Sequence, residues 1–304
     1  MSHDRAEAEE LKAKVRFAPS PTGPLHSGNL STALFTWLRA RHLGTPILLR
    51  MDSLDPLRSK QAHVEAILET LAWFKLAFLS EIFHQNPMDG RYREGLNALI
   101  QQERAYPCFC SRKEAYLRDA NGNLIYKGHC RANSTGSGKA KIARGEPHCW
   151  RFRDTRDHQT LADLASGPLQ IESKRWGGDF VLWRRDGVPG YHLASVMDDA
   201  QLKIEEIQRG RDLIPSSAAQ IGLFDALELP IPKFLHVPLL LSNQGEKLSK
   251  RLGETRPEAR FPDPQAFTEF WLHHFEVNRC VTNWIDLTQS QLFEICRQAD
   301  RIMD

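Results

Sequence analysis

Residues 16–30 read RFAPSPTGPLHSGNL, and the rest of the chain is best read outward from them. Residues 15–18 have the apolar character of a short buried strand, and Pro19, Pro21, Gly23 and Pro24 forbid both its continuation and an early helix. Beyond Gly28, Leu30, Leu34, Trp37 and Leu38 recur at helical spacing, so a helix is predicted to begin at or just after His26. A helix leaving a Gly/Ser turn after a strand aims backbone N–H groups and its positive dipole end at the space above that strand. Anions bind there, most often phosphate. Every strand-turn-helix unit of an α/β domain shares this shape, so the turn alone gives only the fold class. His26 and Gly28 narrow it: the histidine offers a donor to a phosphate oxygen, and the glycine lets a nucleotide pack on bare backbone.

Far downstream, residues 247–251 read KLSKR, after the apolar run 236–241 and the turn Asn243-Gln244-Gly245. A basic run alone is usually a solvated face. Paired with the PxxxLHxGN pattern of the first stretch, it resembles the signature pair of the class I aminoacyl-tRNA synthetases, in their glutamyl branch. The likeness runs through separate blocks from Lys14 to Leu252 and is strongest to the short glutamyl-Q tRNA(Asp) synthetase group. It implies an α/β fold, the Rossmann-like parallel sheet of a class I synthetase core, with a zinc-containing insertion and a short helical C-terminal tail. It also implies ATP with Mg2+ and L-glutamate as substrates and tRNA as partner, with queuosine in the anticodon of tRNA(Asp) as the acceptor.

By the same resemblance, His26, Gly28 and Asn29 serve ATP together with Lys247, Ser249 and Lys250, and His26, Asn29, Lys247 and Lys250 are the catalytic set. Arg16, Phe17, Ala18, Pro19, Ser20, Asp52, Tyr191 and Arg209 are implied to hold glutamate. Independently of it, residues 46–51 form a run, apolar but for Arg50, typical of a strand covered on both faces, which delivers Asp52 and Asp55 to the rim where His26 lies. A carboxylate there suits an ammonium group, although Asp55 also suits a helix cap. The family's IEDLD block reads MDSLD here, so Asp52 stands in place of glutamate and Ser53 in place of the next acid. Arginine offers two parallel hydrogen bonds to a carboxylate, the chemistry expected of Arg209; a surface ion pair is its bland alternative, and a half-buried strand aromatic is that of Tyr191. After Asp198-Asp199, the family's QGIT is replaced by Leu202, Lys203, Ile204 and Glu205, a change expected near the nucleotide.

Length and composition are compatible with this reading. The chain has 304 residues, 41% of them hydrophobic, and no apolar run long enough to span a bilayer. A charged start without an apolar segment is not a signal peptide, so a cytoplasmic monomer without membrane contact is expected. The formal charge of +2 leaves RNA binding to local patches such as Arg39-Ala40-Arg41 or Arg184-Arg185. Six cysteines suit a reducing compartment better than a disulfide framework. Cys108, Cys110, Tyr126 and Cys130 form a C-x-C followed by Y-x-x-x-C around the Asn121-Gly122-Asn123 turn, a donor set for a structural zinc. His129 competes with Tyr126 as fourth ligand, and free buried cysteines are the alternative to a metal. Cys149, Cys280 and Cys296 read as isolated core residues.

Helices are predicted over 61–78, 89–102, 215–227, 263–275 and 289–303, strands over 150–154 and 178–183 and after 230, and a Ser/Gly-rich loop over 133–140. The expected organisation is an N-terminal extension (1–13), the first half of the catalytic domain (14–105), the zinc-binding insertion (106–148), the second half with KLSKR (149–252) and a C-terminal helical segment (253–304) without an anticodon-binding domain. Other readings are a truncated glutamyl-tRNA synthetase charging an acceptor end, a nucleotidyltransferase on the same sheet, and a catalytically silent paralogue that binds tRNA or protein.

Overall fold

The computed structural model describes residues 14–119, 122, 124–132, 137–242, 248, 256–277 and 284–298. The N-terminal extension, Asn121, Asn123, Cys280, Asn283 and, of the KLSKR run, all but Leu248 lie outside the described residues.

The chain opens with β1 (Val15–Phe17), α1 (Ser27–Leu43), β2 (Ile47–Met51), α2 (Gln61–Trp73), β3 (Ile82–His84) and α3 (Gly90–Gln101). A smaller excursion follows through β4 (Ala105–Cys108), α4 (Arg112–Ala115), β5 (Tyr116–Arg118), β6 (Leu124–Tyr126), α5 (Ser137–Ala143) and β7 (Cys149–Phe152). Next come β8 (His158–Asp163), β9 (Gly167–Glu172), α6 (Ser173–Trp176), β10 (Val181–Trp183), α7 (Tyr191–Gln201), β11 (Glu206–Gly210), α8 (Ile214–Ala226) and β12 (Lys233–Val237). The short α9 (Pro257–Arg260) precedes α10 (Pro264–His274) and α11 (Gln289–Gln298).

Seven strands form the main sheet in the order β3-β2-β1-β11-β12-β8-β9, all parallel except β9. The alternation of strand side chains assigns each face of this sheet a different task. Val15, Phe17, Ile47, Leu49, Leu235 and Val237 join α1, α2, α10 and α11 in one apolar core around Leu34, Phe35 and Trp271. The intervening residues, Arg16, Arg50, Arg209 and His236, are polar yet buried, and their bonds run to α7 and α8. One face therefore holds the apolar core, and the other carries the chemistry. A second apolar cluster joins α3, α7 and α8 through residues such as Leu96, Leu193 and Leu223. Among the described residues, no helix is long and apolar enough to cross a membrane.

Several sequence expectations are corrected. The helix over 61–78 stops at Trp73, because Lys75 adopts a left-handed backbone (φ 55°) that ends a helical run. The described part of the 133–140 loop is helical, as α5 starts at Ser137. Tyr191 is not a strand aromatic; it opens α7 and is 40% exposed. Arg39 is no surface patch, since its guanidinium is buried against Glu206 at 2.6 and 2.9 Å. Lys203 and Glu205 lie where β11 begins, with Glu205 N–H bonded to the Lys14 carbonyl. That is the end of the strand opposite Gly210, so this substitution stands away from the cavity described next.

Candidate active site

A cavity of about 740 Å³ opens at the carboxyl ends of β1 and β11, the edge at which open α/β sheets bind ligands. The turn that leaves β1 supplies one wall, with Arg16, Phe17, Ala18, Pro19 and Ser20. The start of α1 supplies another through His26, Gly28 and Asn29, while Asp52, Tyr191 and Arg209 complete it from β2, α7 and β11. All the described residues implicated in ATP or glutamate binding thus share one space, whereas Asp55, expected at the same rim, does not line it and accepts from the Leu57 N–H instead. Gln208, Gly210, Asp212 and Leu213 also line it, and the sequence reading did not single them out.

His26 caps α1, its Nδ1 accepting from the N–H groups of Gly28 (3.1 Å) and Asn29 (3.3 Å). Two of the N–H groups expected to await an anion are thus engaged by the ring. An accepting Nδ1 places the imidazole proton on Nε2, so the ring keeps a donor. A Cβ on Gly28 would meet the His26 ring at 3.0 Å and the Leu248 carbonyl at 3.2 Å. The glycine thus admits the one described residue of the KLSKR run to the helix start, where Leu248 lines the cavity. The two motifs of the sequence meet there.

Beneath the cavity lies a buried ion-pair network. Asp199 accepts from Arg16 Nε and Nη2 at 3.1 and 3.3 Å and from Arg50 Nη1 at 2.7 Å. Arg50 Nε also reaches Asp52 at 2.7 Å, so Asp52 is held in place by an arginine while it faces the cavity. Burial alone would raise the Asp199 pKa, but Arg16 and Arg50 override it and hold the carboxyl below its ordinary value. Arg209 differs from these arginines. Its Nη1 binds two neutral groups, Gln220 Oε1 at 2.8 Å and Ser217 Oγ at 3.3 Å, while its buried Nη2 has no hydrogen-bond partner among the described residues. Burial lowers its pKa below the usual arginine value. The neighbouring His192 is pushed down to about 4 by burial and then by the charge of Arg209, so it is neutral.

Asp198 faces the other way, accepting from Tyr92 Oη at 2.8 Å and Gln85 Nε2 at 2.7 Å. Burial raises its pKa to about 6 in spite of Arg50, Gln85 and Tyr92. The folded state then keeps a proton that the unfolded chain releases from about pH 4 upward, so stability falls as pH rises through this window and is level above it. Asp198→Asn is expected to abolish that slope, which amounts to about 3 kcal/mol. Melting temperatures of both proteins between pH 4 and 7 test this, and equal slopes would refute it.

With the site's geometry in view, comparison places the chain among known proteins. The family description "tRNA synthetases class I (E and Q), catalytic domain" matches residues 12–282. The chain belongs to this family. It is 42% identical over 238 residues to the glutamyl-Q tRNA(Asp) synthetase of Chromobacterium violaceum, covering 78% of each chain. It is 39% identical over 248 residues to the glutamate–tRNA ligase of Aquifex aeolicus, covering 80% of this chain and 52% of that one. The chain thus spans about half the length of that ligase. The crystal structure of a glutamate–tRNA ligase from Elizabethkingia meningosepticum in complex with its amino acid superposes with a TM-score of 0.75 at 26% identity, covering 94% of this chain and 65% of that chain. A class I synthetase core is therefore the fold of this family member.

Away from the cavity, β4 and the segment after β6 bring Cys108, Cys110 and Cys130 together, with their sulfurs within 4.8 Å of one another. Tyr126 Oη stands 3.5 Å from Cys108 Sγ and accepts from the Cys130 N–H at 3.1 Å. Among the described residues His129 does not join this group of sulfurs. Cys149 is not isolated: it pairs with Cys108 across β7 and β4, and its thiol donates to the Cys108 carbonyl. Contacts with Cys149, Tyr126 and Arg151 draw the Cys108 thiol below its ordinary value, whereas burial pushes Cys110 up. The lowered Cys108 favours the thiolate, the form in which cysteine binds metal. The donor set of three sulfurs and a phenol fits a structural zinc.

Proposed function

We propose that this protein activates L-glutamate with ATP and Mg2+ and transfers the glutamyl group to queuosine in the anticodon of tRNA(Asp). The observation that carries the glutamate assignment is Arg209, a buried guanidinium on the cavity wall whose bonds go to neutral groups and whose Nη2 is unpartnered among the described residues. A planar carboxylate answers such a group with matched acceptors. Arg16 and Ser20, with the backbone of Phe17, Ala18 and Pro19, frame the amino acid, and Asp52 and Tyr191 face its ammonium group. His26, Gly28 and Asn29 receive the nucleotide, while Lys247, Ser249 and Lys250 serve its phosphates.

In the first step a glutamate carboxylate oxygen attacks the α-phosphorus, and pyrophosphate leaves. In the second a hydroxyl of the RNA attacks the acyl carbon, and AMP leaves. Neither step needs a covalent enzyme intermediate; alignment and neutralisation of the leaving phosphates are enough. The acceptor assignment rests on the likeness to glutamyl-Q tRNA(Asp) synthetases over most of both chains. Glutamate is expected to be transferred to tRNA(Asp) carrying queuosine and not to the same tRNA without it, with activity falling as salt rises. Labelling of the 3′ end of tRNA(Glu) would make the protein a minimal aminoacylating enzyme instead. ATP–pyrophosphate exchange with no amino acid at all would leave a silent RNA- or protein-binding paralogue.

Cys108, Cys110, Cys130 and Tyr126 would hold zinc, which supplies folding energy to the excursion rather than chemistry to the cavity. One zinc per chain is expected by elemental analysis, with Tyr126→Phe losing more metal than His129→Ala. The reverse order would make His129 the ligand. On the same reading the protein works as a cytoplasmic monomer, where free thiols persist.

A further inference from the structure

The polar face of the sheet contains a second constellation that the proposed reaction does not use directly. Arg209 on β11 and His236 on β12 are register partners, so both side chains emerge on the side that α8 covers. His236 Nε2 lies 2.7 Å from Ser217 Oγ, and His236 Nδ1 lies 2.9 Å from Asp163 Oδ2 on β8. Ser217, His236 and Asp163 are the residue types of a nucleophilic triad in hydrogen-bonded sequence. They are not a nucleophilic site. Ser217 and His236 are wholly buried, and Ser217 is not part of the cavity wall.

The donors and acceptors run in a single direction. The Asp163 carboxylate has no proton to give and also receives the N–H groups of Ala165 and Ser166, so His236 Nδ1 must be the donor to it. Neutral histidine then carries a bare Nε2, which at 2.7 Å takes the Ser217 hydroxyl proton in preference to the Leu213 carbonyl at 3.2 Å, the other acceptor within reach. With its proton committed, Ser217 Oγ presents lone pairs, and Arg209 Nη1 donates into one of them at 3.3 Å. Gln220, one helical turn further along α8, takes the same nitrogen at 2.8 Å, and the Phe234 ring lies 5.6 Å from the guanidinium carbon. The chain Asp163, His236, Ser217 and Arg209 thereby fixes the plane of the guanidinium and leaves Nη2 unpaired.

We infer that Asp163, His236 and Ser217 are positioning residues that orient Arg209 and so set the preference of the cavity for a carboxylate over a carboxamide. This inference rests on the reading of Arg209 as the glutamate-binding group. A guanidinium free to turn would engage an amide oxygen as readily as a carboxylate edge, whereas a fixed fork penalises the amide, whose NH2 then faces a donor.

The test measures Kd for glutamate, glutamine and ATP by calorimetry on the full chain, for wild type, Ser217→Ala, His236→Asn and the double variant. Asparagine keeps a donor near Asp163 but does not reach Ser217, so the two single changes break the same link by different means. Each is expected to weaken glutamate binding roughly ten-fold, the worth of a hydrogen bond to a charged group, with glutamine and ATP binding unchanged. The double variant is expected to be no worse than either single one, as for residues acting in series. A purely structural role would lower the melting temperature without moving the glutamate-to-glutamine ratio. Glutamate binding by the wild type with an unchanged ratio in both single variants overturns the inference alone. A wild type that does not bind glutamate overturns the reading of Arg209, and the inference with it.

Discussion

Arg209→Gln is expected to lower glutamate-dependent ATP–pyrophosphate exchange by about a thousand-fold, the scale set by removing one partner of a buried charge pair. The loss should fall on glutamate, with ATP binding unaffected. Thermal stability should move the opposite way. In the ligand-free protein the guanidinium is buried, has no ion-pair partner among the described residues, and is repelled by Arg16 and Arg50. A neutral glutamine that still bonds Gln220 removes an unfavourable charge, so the variant should melt no lower than wild type. A variant that melts much lower and loses ATP and glutamate binding together would show that Arg209 is a structural pillar.

Asp199→Ala should do the reverse damage. It leaves Arg16 and Arg50 buried without the carboxylate that accepts from both. Breaking a buried pair from one side costs about 3–5 kcal/mol, or a fall in melting temperature of about 10 °C for a domain of this size. The sign of its pH dependence follows from the depressed pKa of Asp199. Its contribution is present above the unfolded value of about 4 and is lost as pH falls through the lower folded value. The gap between variant and wild type should therefore be full at neutral pH and close in acid. A gap independent of pH would mean that packing, not charge, is what the alanine removed.

How much of this was legible in the sequence differed by element. The turn at 16–30 was, because proline and glycine restrict the backbone locally and the helical spacing after His26 needs no partner to be seen. β3 was missed because it is a three-residue edge strand with half-exposed side chains. The β8–β9 hairpin was missed too, since its alternation of exposed and buried residues only makes sense once β12 is beside it. In the site, residues 16–20, His26 and Asp52 could be placed by the motif and the strand-end rule. Asp163, Gln220 and His236 could not, because what makes them matter is the register of β11 against β12 and the helix laid across both. The direction of the His26 cap was likewise beyond reach: residue type allows a donor or an acceptor at each nitrogen, and geometry chooses.

The position of β1 in the sheet bears on how the chain is made as well as on what it binds. Its neighbours are β2, only a helix away, and β11, whose Glu206 pairs with Val15 across 190 or so residues of intervening chain. As the polypeptide emerges, β1 through β3 can pair early, but one edge of β1 stays open until β11 arrives. Closing so distant a contact is slow, and an open apolar edge invites wrong partners meanwhile. The ends of β1 and β11 form the cavity, so the binding site exists only after the pairing with the longest sequence separation in the sheet has been made.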